Sequence, residues 1–395
     1  MQKKNSWLLP EGIEEVLPND AKHLECLRRK LLDVFSNWGY QLVFPPIVDF
    51  LDSLLTGSGH DLDLYTFKLT DQISGKTLGI RADMTPQVAR IAGHHLPHEW
   101  PTRLCYVGTV LHTLGDNLEK NRSPVQIGAE LYGFSGLEAD LEIIRLMLEM
   151  LAMSGIENVH LDLGHVGIFK SLSKQAGLSQ QQEAELFDVL QRKALPEMDE
   201  LLDGFSLSEP EKNVFKALPT LHGGLDVFSR AAAVFKGCDE SVLQALSELQ
   251  QLAEKLTRYF SALPVNFDLA ELRGFHYHTG VVYAAFVPEV GKEIARGGRY
   301  DNIGEAFAQP RAATGFSADL KILARLATKP EVDKEQIIFS PYHDDTDLNV
   351  MIRDLRAKGQ TVIQELPGQA GNAKQMGCNA ILEKQNQNWV VKPLD

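Results

Sequence analysis

The first amphipathic stretch of the chain predicts a long helix. Its apolar residues recur at helical spacing and share one face: Leu24, Leu27, Leu31 and Phe35. Asn19-Asp20 offers a side-chain cap before this helix, and Gly39 stands where a C-cap glycine is expected. Tyr40 to Phe44 alternates as a strand, and Pro45-Pro46 forces an extended connection after it.

Alternating apolar and polar positions then predict a mainly antiparallel sheet. Residues 61–81 have the pattern of a hairpin with its turn at 73–76, and Pro86 lies near the start of a short helix. The following expected elements are strands at 103–111, 125–133 and 159–163 and an apolar helix at 137–154. Gln126 and Glu130 share one face of their strand, which suits a pocket floor better than an exposed sheet surface.

A change of composition divides the rest of the chain. From about residue 172 to 263 the pattern is helical, with breaks at prolines and at Gly223-Gly224, and it predicts a helical insertion in the sheet. Beyond Thr328-Lys329-Pro330 the sequence predicts a linker. We therefore expect an α+β domain at 1–328 and a small α/β domain at 332–395. The elements expected in the small domain are the strands IIFS, TVIQ, AILE and WVVK, a helix around Ile352 and a short helix near Gly371.

Residues 271–301 combine two polar, glycine-rich motifs, ELRGFHYHTG and ARGGRYDN, with an apolar run between them. The first motif is too polar for a core strand and too aromatic for an ordinary surface loop. The two glycines before Arg299 would let the backbone approach whatever Arg299 and Tyr300 hold. We interpret the motifs as two walls of one small-molecule pocket joined by a hairpin.

Polar groups expected at strand ends would complete this pocket. Carboxylates would hold an ammonium group, an arginine would hold a carboxylate through two hydrogen bonds, and aromatic rings would select a side chain. An amino acid is therefore the simplest ligand. Asp83 and Thr85 could equally be helix-capping groups, and the sequence leaves both interpretations open. The other candidates are the acceptors Gln126 and Glu130, the guanidinium of Arg273, and the aromatic walls Tyr277, His278 and Tyr300.

Composition excludes several other classes of function. The 395 residues carry a formal net charge of -14, and this acidic balance argues against a broad nucleic-acid surface. No stretch reaches the roughly 18 apolar residues that a membrane helix needs, so we expect a cytoplasmic protein. Scattered cysteines and the surface histidines His94, His95 and His98 give no metal-ligand spacing, and no nucleotide-binding motif is found. The sequence predicts neither a metal nor a cofactor.

Five segments together resemble the histidyl-tRNA synthetase family, which is a class II aminoacyl-tRNA synthetase family. They are the helix ending at Gly39 with Pro45-Pro46, RADMT at 81–85, the strand pair RLCYVG and VQIGAELYG, LRGFHYHTG, and GGRYD. The resemblance spans about Pro10 to Leu326. It implies a six-stranded antiparallel sheet flanked by helices and a homodimer formed through motif 1. It also implies a histidine pocket lined by Asp83, Thr85, Gln126, Glu130, Arg273, Tyr277 and His278.

Departures from that family concern the nucleotide site. Around His112 the chain lacks the motif 2 arginine, and Ile322 stands where motif 3 would end in an arginine. Adenylyl transfer depends on such preorganised cations, and Lys321 is no bidentate substitute for an arginine. The family has Tyr-Tyr where this chain has Tyr277-His278, and the short tail is unlike the tRNA-binding domain of a synthetase.

A chain with this fold and these departures resembles the regulatory subunits of short-form ATP phosphoribosyltransferase. That enzyme catalyses the first step of histidine biosynthesis. The resemblance implies a non-catalytic chain in a hetero-octamer with the catalytic subunit, which it activates and whose feedback inhibition by histidine it helps to mediate. The alternatives are a working histidine–tRNA ligase and a free-standing histidine-binding or RNA-sensing module. The sequence leaves open which surface meets the catalytic subunit and whether histidine binds in the inherited pocket or between subunits.

Overall fold

A computed structural model describes residues 8–56, 60–115, 121–275, 277–302, 311–327 and 336–394, and the side chains of residues 60 and 61 are not described. The chain divides into two compact units, residues 1–328 and residues 329–395. None of the described helices is long and apolar enough to cross a membrane.

The first unit contains most of the helices. They are α1 (Pro18–Asn37), α2 (Leu51–Leu55), α3 (His60–Tyr65), α4 (Thr85–His94), α5 (Leu137–Met153), α6 (Val166–Gln175), α7 (Gln180–Gln191), α8 (Leu195–Gly204), α9 (Glu209–Ala217), α10 (Asp226–Val234), α11 (Glu240–Tyr259) and α12 (Leu320–Leu326). The second unit adds α13 (Thr346–Ala357).

The strands of the first unit form two sheets. They are β1 (Gln41–Leu42), β2 (Val48–Phe50), β3 (Phe67–Thr70), β4 (Thr77–Ile80), β5 (Thr102–Thr109), β6 (Val125–Tyr132), β7 (His160–His165), β8 (His222–Gly223), β9 (Val265–Asp268), β10 (Val281–Phe286), β11 (Ala295–Arg299) and β12 (Ala313–Asp319). The second unit contributes β13 (Ile337–Ser340), β14 (Thr361–Gln364), β15 (Ala380–Gln385) and β16 (Asn388–Pro393).

The main sheet has nine strands in the order β1-β5-β6-β12-β11-β10-β7-β9-β8. Its centre, from β5 to β7, is a run of six antiparallel strands, as the resemblance to class II synthetases implied. β1 and β9 extend this run by parallel pairing with β5 and β7, and β8 closes one edge. β10 and β11 pair as the hairpin expected between the two polar motifs. A smaller sheet has the order β2-β4-β3.

The two faces of the main sheet have different partners. Strand side chains alternate between faces, and one set, including Ile127 and Ala129, belongs to the large apolar core that contains buried residues of α1 and α5. Residues of β5 and β6 on the other face, including Tyr106 and Tyr132, join a smaller core with α4. This second face carries the candidate pocket.

Several local expectations were wrong. α1 begins at Pro18, and its cap residue Leu17 offers no side-chain bond, so Asn19-Asp20 lies inside the first turn and does not cap it. The predicted strand 40–44 is shorter, because β1 covers only Gln41 and Leu42, and the backbone N–H of Val43 adds one further bond to Cys105 of β5. The helical region 172–263 also contributes β8 to the sheet edge. The predicted end of α1 was correct, because Gly39 follows the helix with a φ of 80°.

The second unit is a four-stranded sheet of its own, with the order β14-β13-β15-β16. β13 pairs in parallel with β14 and β15, and β16 forms an antiparallel hairpin with β15. Its own apolar core includes Leu348 and Ile352 of α13 packed with Ile338. The four strands and α13 agree with the sequence pattern, whereas the segment near Gly371 forms turns and not a short helix.

Candidate functional site

Three glycines form a flat floor on the sheet face opposite α1 and α5. Gly315 and Gly298 continue the register row of Glu130 across β12 and β11, and Gly128 lies two residues from Glu130 on β6. A Cβ at Gly128 would lie 2.5 Å from the hydroxyl of Tyr106, and a Cβ at Gly298 would lie 2.8 Å from Nδ1 of His278. At Gly315 it would collide with the Glu130 carboxylate. The missing side chains therefore leave room for the polar groups that lie on this floor.

Glu130 is the buried centre of the site, with only 1 % of its surface exposed. The hydroxyls of Tyr106 and Thr85 donate to its Oε1 at 2.9 and 3.1 Å, and the hydroxyl of Tyr300 bonds to its Oε2. Burial raises the pKa of Glu130 to about 8, although the hydrogen bonds from Tyr300 and Tyr106 oppose the shift. The site thus holds a carboxyl group poised to change charge near neutral pH.

Asp83 and Gln126 lie at the side of this group. Gln126 donates from Nε2 to Oδ1 of Asp83 at 2.9 Å and accepts the backbone N–H of Met84 at 2.9 Å. The backbone N–H of Thr85 also donates to Asp83, at 2.8 Å. The Asp83 carboxylate thus accepts a backbone N–H in the first turn of α4, although the cap residue of that helix is Met84, which offers no side-chain bond. Gln126 connects Asp83 to the glycine floor.

Tyrosine rings form one wall. Tyr277 stacks on Tyr300 with ring centroids 4.9 Å apart, and Tyr132 meets Tyr300 edge-on at 6.4 Å. The hydroxyl of Tyr277 is buried, and no hydrogen-bond partner reaches it from the residues that the structure describes. A buried hydroxyl without a partner is energetically unfavourable. A polar atom of a bound ligand could satisfy it.

His278 forms the adjoining wall in a neutral state. Its Nδ1 lies 3.3 Å from the backbone oxygen of Arg299, and its ring meets that of Tyr277 edge-on at 5.2 Å. Burial lowers its pKa to about 4, and the charge of Arg296 adds to the effect. The ring is thus an uncharged surface at physiological pH.

Arg273 lies at the margin of the site. Its guanidinium lies over the ring of Phe286 at 5.1 Å and 3.5 Å from the carboxylate of Glu271, and 44 % of its side chain is exposed. The structure therefore does not bring it into direct contact with the group around Glu130.

Arg299 points away from the pocket, which corrects its placement among the pocket residues. Adjacent residues of a strand face opposite sides, so Arg299 reaches toward α5 while Gly298 lines the floor. Its Nη2 lies 2.8 Å from Oδ2 of Asp140, and both side chains are buried. Arg299 is part of a buried ion pair that joins β11 to α5.

Residues 112 and 322, where the resemblance to synthetases would place nucleotide-binding arginines, carry a histidine and an isoleucine. Nε2 of His112 bonds to the backbone oxygen of Ala82 at 2.9 Å, and burial lowers the pKa of His112. Ile322 is buried in the large core. Asp319 accepts the backbone N–H groups of Val125 and Lys321 at 3.1 and 3.0 Å. The side chains at all three positions therefore contact other parts of the protein: His112 and Asp319 bond to backbone groups, and Ile322 packs in the core.

Two aromatic residues of the site were missed in the sequence. Tyr106 and Tyr132 lie on the same faces of β5 and β6 as Gly108 and Glu130. The two-residue period of those strands was the available signal. The same period that places Gln126 and Glu130 on one face of β6 also places Tyr132 there.

Two protein-family models match the chain. The model described as "Histidyl-tRNA synthetase" matches residues 12–323, and the model described as "ATP phosphoribosyltransferase subunit HisZ C-terminal domain" matches residues 335–392. A relative from Methylococcus capsulatus is 55 % identical over 98 % of this chain and 96 % of its own length. One from Thioalkalivibrio sulfidiphilus is 51 % identical over 100 % of both chains. Each is named "ATP phosphoribosyltransferase regulatory subunit".

The chain belongs to the ATP phosphoribosyltransferase regulatory subunit family. A solved structure described as an ATP phosphoribosyltransferase regulatory subunit/histidyl-tRNA synthetase from Bacillus halodurans superposes with a TM-score of 0.83. It is 27 % identical and covers 96 % of this chain and 98 % of its own. Histidyl-tRNA synthetase from a Nostoc species, 17 % identical, has a TM-score of 0.71 over 98 % of this chain and 94 % of its own, which shows a shared fold.

The sequence-based assignment to the regulatory-subunit family is thus confirmed, and so is the class II synthetase-like α+β fold. The chain has the strand framework of the synthetase fold. At residues 112 and 322 it carries an uncharged ring and a buried aliphatic side chain. The relatives are named regulatory subunits of ATP phosphoribosyltransferase, and this chain belongs with them.

Proposed function

We propose that this chain is the non-catalytic regulatory subunit of short-form ATP phosphoribosyltransferase, in the first step of histidine biosynthesis. It activates the catalytic subunit and mediates feedback inhibition by histidine, which binds in the pocket around Glu130. Relatives that match the chain along nearly its whole length are named regulatory subunits of that enzyme, which supports the role.

One observation carries the choice of ligand. The pocket combines a buried carboxyl group, Glu130, with the buried hydroxyl of Tyr277 that has no partner among the described residues. A ligand with a cationic or N–H-bearing end and a planar ring would satisfy both groups. Histidine has an ammonium group, an imidazole and a carboxylate. The other residues that we assign to histidine binding are Asp83, Thr85, Gln126, Arg273, His278 and Tyr300.

The proposed assembly follows the family resemblance. We place a homodimer at motif 1, because Phe44 and Ile47 beyond the end of α1 leave 74 % and 54 % of their surfaces exposed, and large exposed apolar groups favour an interface. The dimer joins catalytic subunits in a cytoplasmic hetero-octamer without tRNA. Histidine favours whichever state of this complex binds it better, and the coupling between histidine and the catalytic site is reciprocal.

The test reconstitutes this chain with a short catalytic subunit that is inactive alone. We expect phosphoribosyl transfer to appear when the chain is added and to fall when histidine is added. Glu130→Gln should keep the activation and lose the response to histidine, because the amide cannot become a carboxylate. Glu138→Gln, at an exposed position of α5 paired with Lys255, is the matched control and should behave as the wild type.

Other outcomes would favour the alternatives. Histidine-dependent exchange of pyrophosphate into ATP by the purified chain would identify a working ligase. Failure to activate any short catalytic subunit, with histidine binding retained, would indicate a free-standing histidine-binding module.

A further inference from the structure

A surface cleft of about 470 Å³ lies on the helix-covered side of the main sheet, opposite the pocket around Glu130. Its walls come from the C-terminal ends of α1 and α11, from one side of α5 and from Arg103 of β5. Clefts of this volume are common binding sites in proteins. Neither the sequence motifs nor the family comparison gave this cleft a role.

Arg145 of α5 contacts two aromatic rings in the cleft. Its guanidinium carbon lies 5.4 Å from the ring centroid of Trp38 and 4.2 Å from that of Tyr259. An aromatic face attracts a cation but accepts no strong hydrogen bond, so the N–H groups of Arg145 are left for another acceptor. Tyr259 is 57 % exposed, so a partner can reach this part of the cleft from solvent.

The other charges of the cleft are matched within the protein. Arg103 donates to both carboxylate oxygens of Glu142, from Nε at 2.7 Å and from Nη2 at 2.8 Å. Glu138 pairs with Lys255 at 2.9 Å. Arg145 forms no ion pair with any residue that the structure describes.

The group that would complete the cleft is therefore an anion that fits a planar guanidinium. A carboxylate does so through two parallel hydrogen bonds. The carboxylates of Glu138 and Glu142 line the same cleft and disfavour an anion of higher charge, such as phosphate. The cleft thus fits a single carboxylate next to aromatic surface.

The helix α5 connects this cleft to the amino-acid pocket. Arg145 and Glu142 are three residues apart and share the side of the helix that lines the cleft. Asp140, on another side of α5, forms the buried ion pair with Arg299 of β11. The neighbours of Arg299 in the chain line the floor and a wall of the pocket. A subunit bound at the cleft would therefore pack against the helix that holds this strand.

We propose that the catalytic subunit docks on this cleft and places the carboxylate of an Asp or Glu side chain on Arg145. The inference rests on the proposed regulatory function and adds where the partner binds. Trp, Tyr and Arg side chains carry much of the binding energy at protein interfaces, and the cleft combines Trp38, Tyr259 and Arg145. Docking and histidine binding can influence each other through α5. A second copy of this chain is assigned to the surface at motif 1.

The test measures association of the full chain with a short catalytic subunit by calorimetry. Arg145→Met should weaken this association roughly 10- to 100-fold, the effect of losing charge-assisted hydrogen bonds. The concentration of chain needed for half-maximal phosphoribosyl transfer should rise by a similar factor. Tyr259→Leu removes one ring at an exposed position and should weaken association roughly 2- to 5-fold. Histidine binding by either variant alone should match the wild type.

Arg258→Met is the matched control. Arg258 precedes Tyr259 on α11 and is exposed, but it does not line the cleft. The substitution removes the same charge from the same region, so it reports any general electrostatic attraction between the subunits. It should associate with the catalytic subunit like the wild type.

Each other outcome has a defined meaning. Wild-type association of both Arg145→Met and Tyr259→Leu would overturn the inference while the regulatory function stands. Weaker self-association of Arg145→Met alone, measured by sedimentation, with unchanged binding of the catalytic subunit would assign the cleft to a second copy and also overturn it. If thermal melting shows that Arg145→Met does not fold, Tyr259→Leu decides. If the wild type neither binds nor activates the catalytic subunit, the proposed function itself fails.

Discussion

At the scale of single residues, Glu130 determines the electrostatics of the pocket. Its contacts are hydroxyl groups of Tyr106, Thr85 and Tyr300, and burial dominates its pKa. In the unfolded chain the same carboxyl group ionises near its ordinary pKa of 4.5, whereas in the folded chain it ionises near 8. The folded protein thus binds more protons than the unfolded protein between these values.

This difference predicts how stability changes with pH. Below pH 4.5 the carboxyl group is neutral in both states, so its burial has the least cost. As the pH rises toward 8, the unfolded state alone gains the free energy of ionisation, at about 1.4 kcal/mol per pKa unit. The free energy of unfolding should therefore fall with rising pH relative to that of Glu130→Gln. Urea unfolding of both proteins across this range measures the difference, and a constant difference would contradict the raised pKa.

The ion pair of Arg299 gives a second prediction at this scale. Arg299→Met leaves the carboxylate of Asp140 buried without its cation, and such a loss costs about 3–5 kcal/mol. Arg296→Met, on the same strand but largely exposed, is the control and should change the free energy of unfolding by less than about 0.5 kcal/mol. Urea titrations of the two variants compare them directly. Equal losses of unfolding free energy in the two variants would contradict a stabilising role of the buried pair between Arg299 and Asp140.

At the scale of elements, the strands of the main sheet determine the pocket through the side chains that they lack. β6, β12 and β11 each place a glycine on the pocket face, and a ring or a carboxylate lies over each one. The helix-covered face of the same strands is filled by apolar side chains. Two faces of one sheet thus serve separate purposes, packing on one side and recognition on the other.

Gly315→Ala tests this division. The new methyl group would collide with the Glu130 carboxylate, which must move away from the hydroxyls of Tyr106 and Tyr300. We expect a loss of about 1–3 kcal/mol in stability, the usual cost of overpacking, together with loss of histidine binding. Gly204→Ala at the end of α8 is the control, since its Cβ would meet no atom within 4 Å. Thermal melting and calorimetry measure both effects, and unchanged binding in Gly315→Ala would argue against a pocket on this floor.

At the scale of the whole molecule, the periodicity of the sequence predicted where helices and strands occur better than it predicted which strands lie next to each other. The alternation of Gln126 and Glu130 with apolar residues predicted β6, but the order of the strands in the main sheet was not predicted, because pairing joins residues far apart in sequence. The two-residue β8 carries no periodic signal, and its place is set by β9. The start of α1 was missed because Pro18 needs no side-chain cap to begin a helix.

The candidate pocket was also predicted only in part: most of its residues were named, but the direction of Arg299 was not. The residue types around Glu130 indicated an amino acid, and the structure brings Asp83, Thr85, Gln126, Tyr277, His278 and Tyr300 together near it. The glycine-rich motif around Arg299 did not reveal which arginine faces the pocket. That choice depends on strand alternation and register, and moving by one residue reverses the face.

The uncharged groups at residues 112 and 322 have a consequence for timing. A synthetase removes its amino acid by reaction, so the fraction of filled pockets depends on turnover as well as on supply. In the proposed sensor an amino acid leaves only by dissociation. Its residence therefore reflects the free concentration in the surrounding solution, and the pocket works as a reversible gauge and not as a step in a reaction.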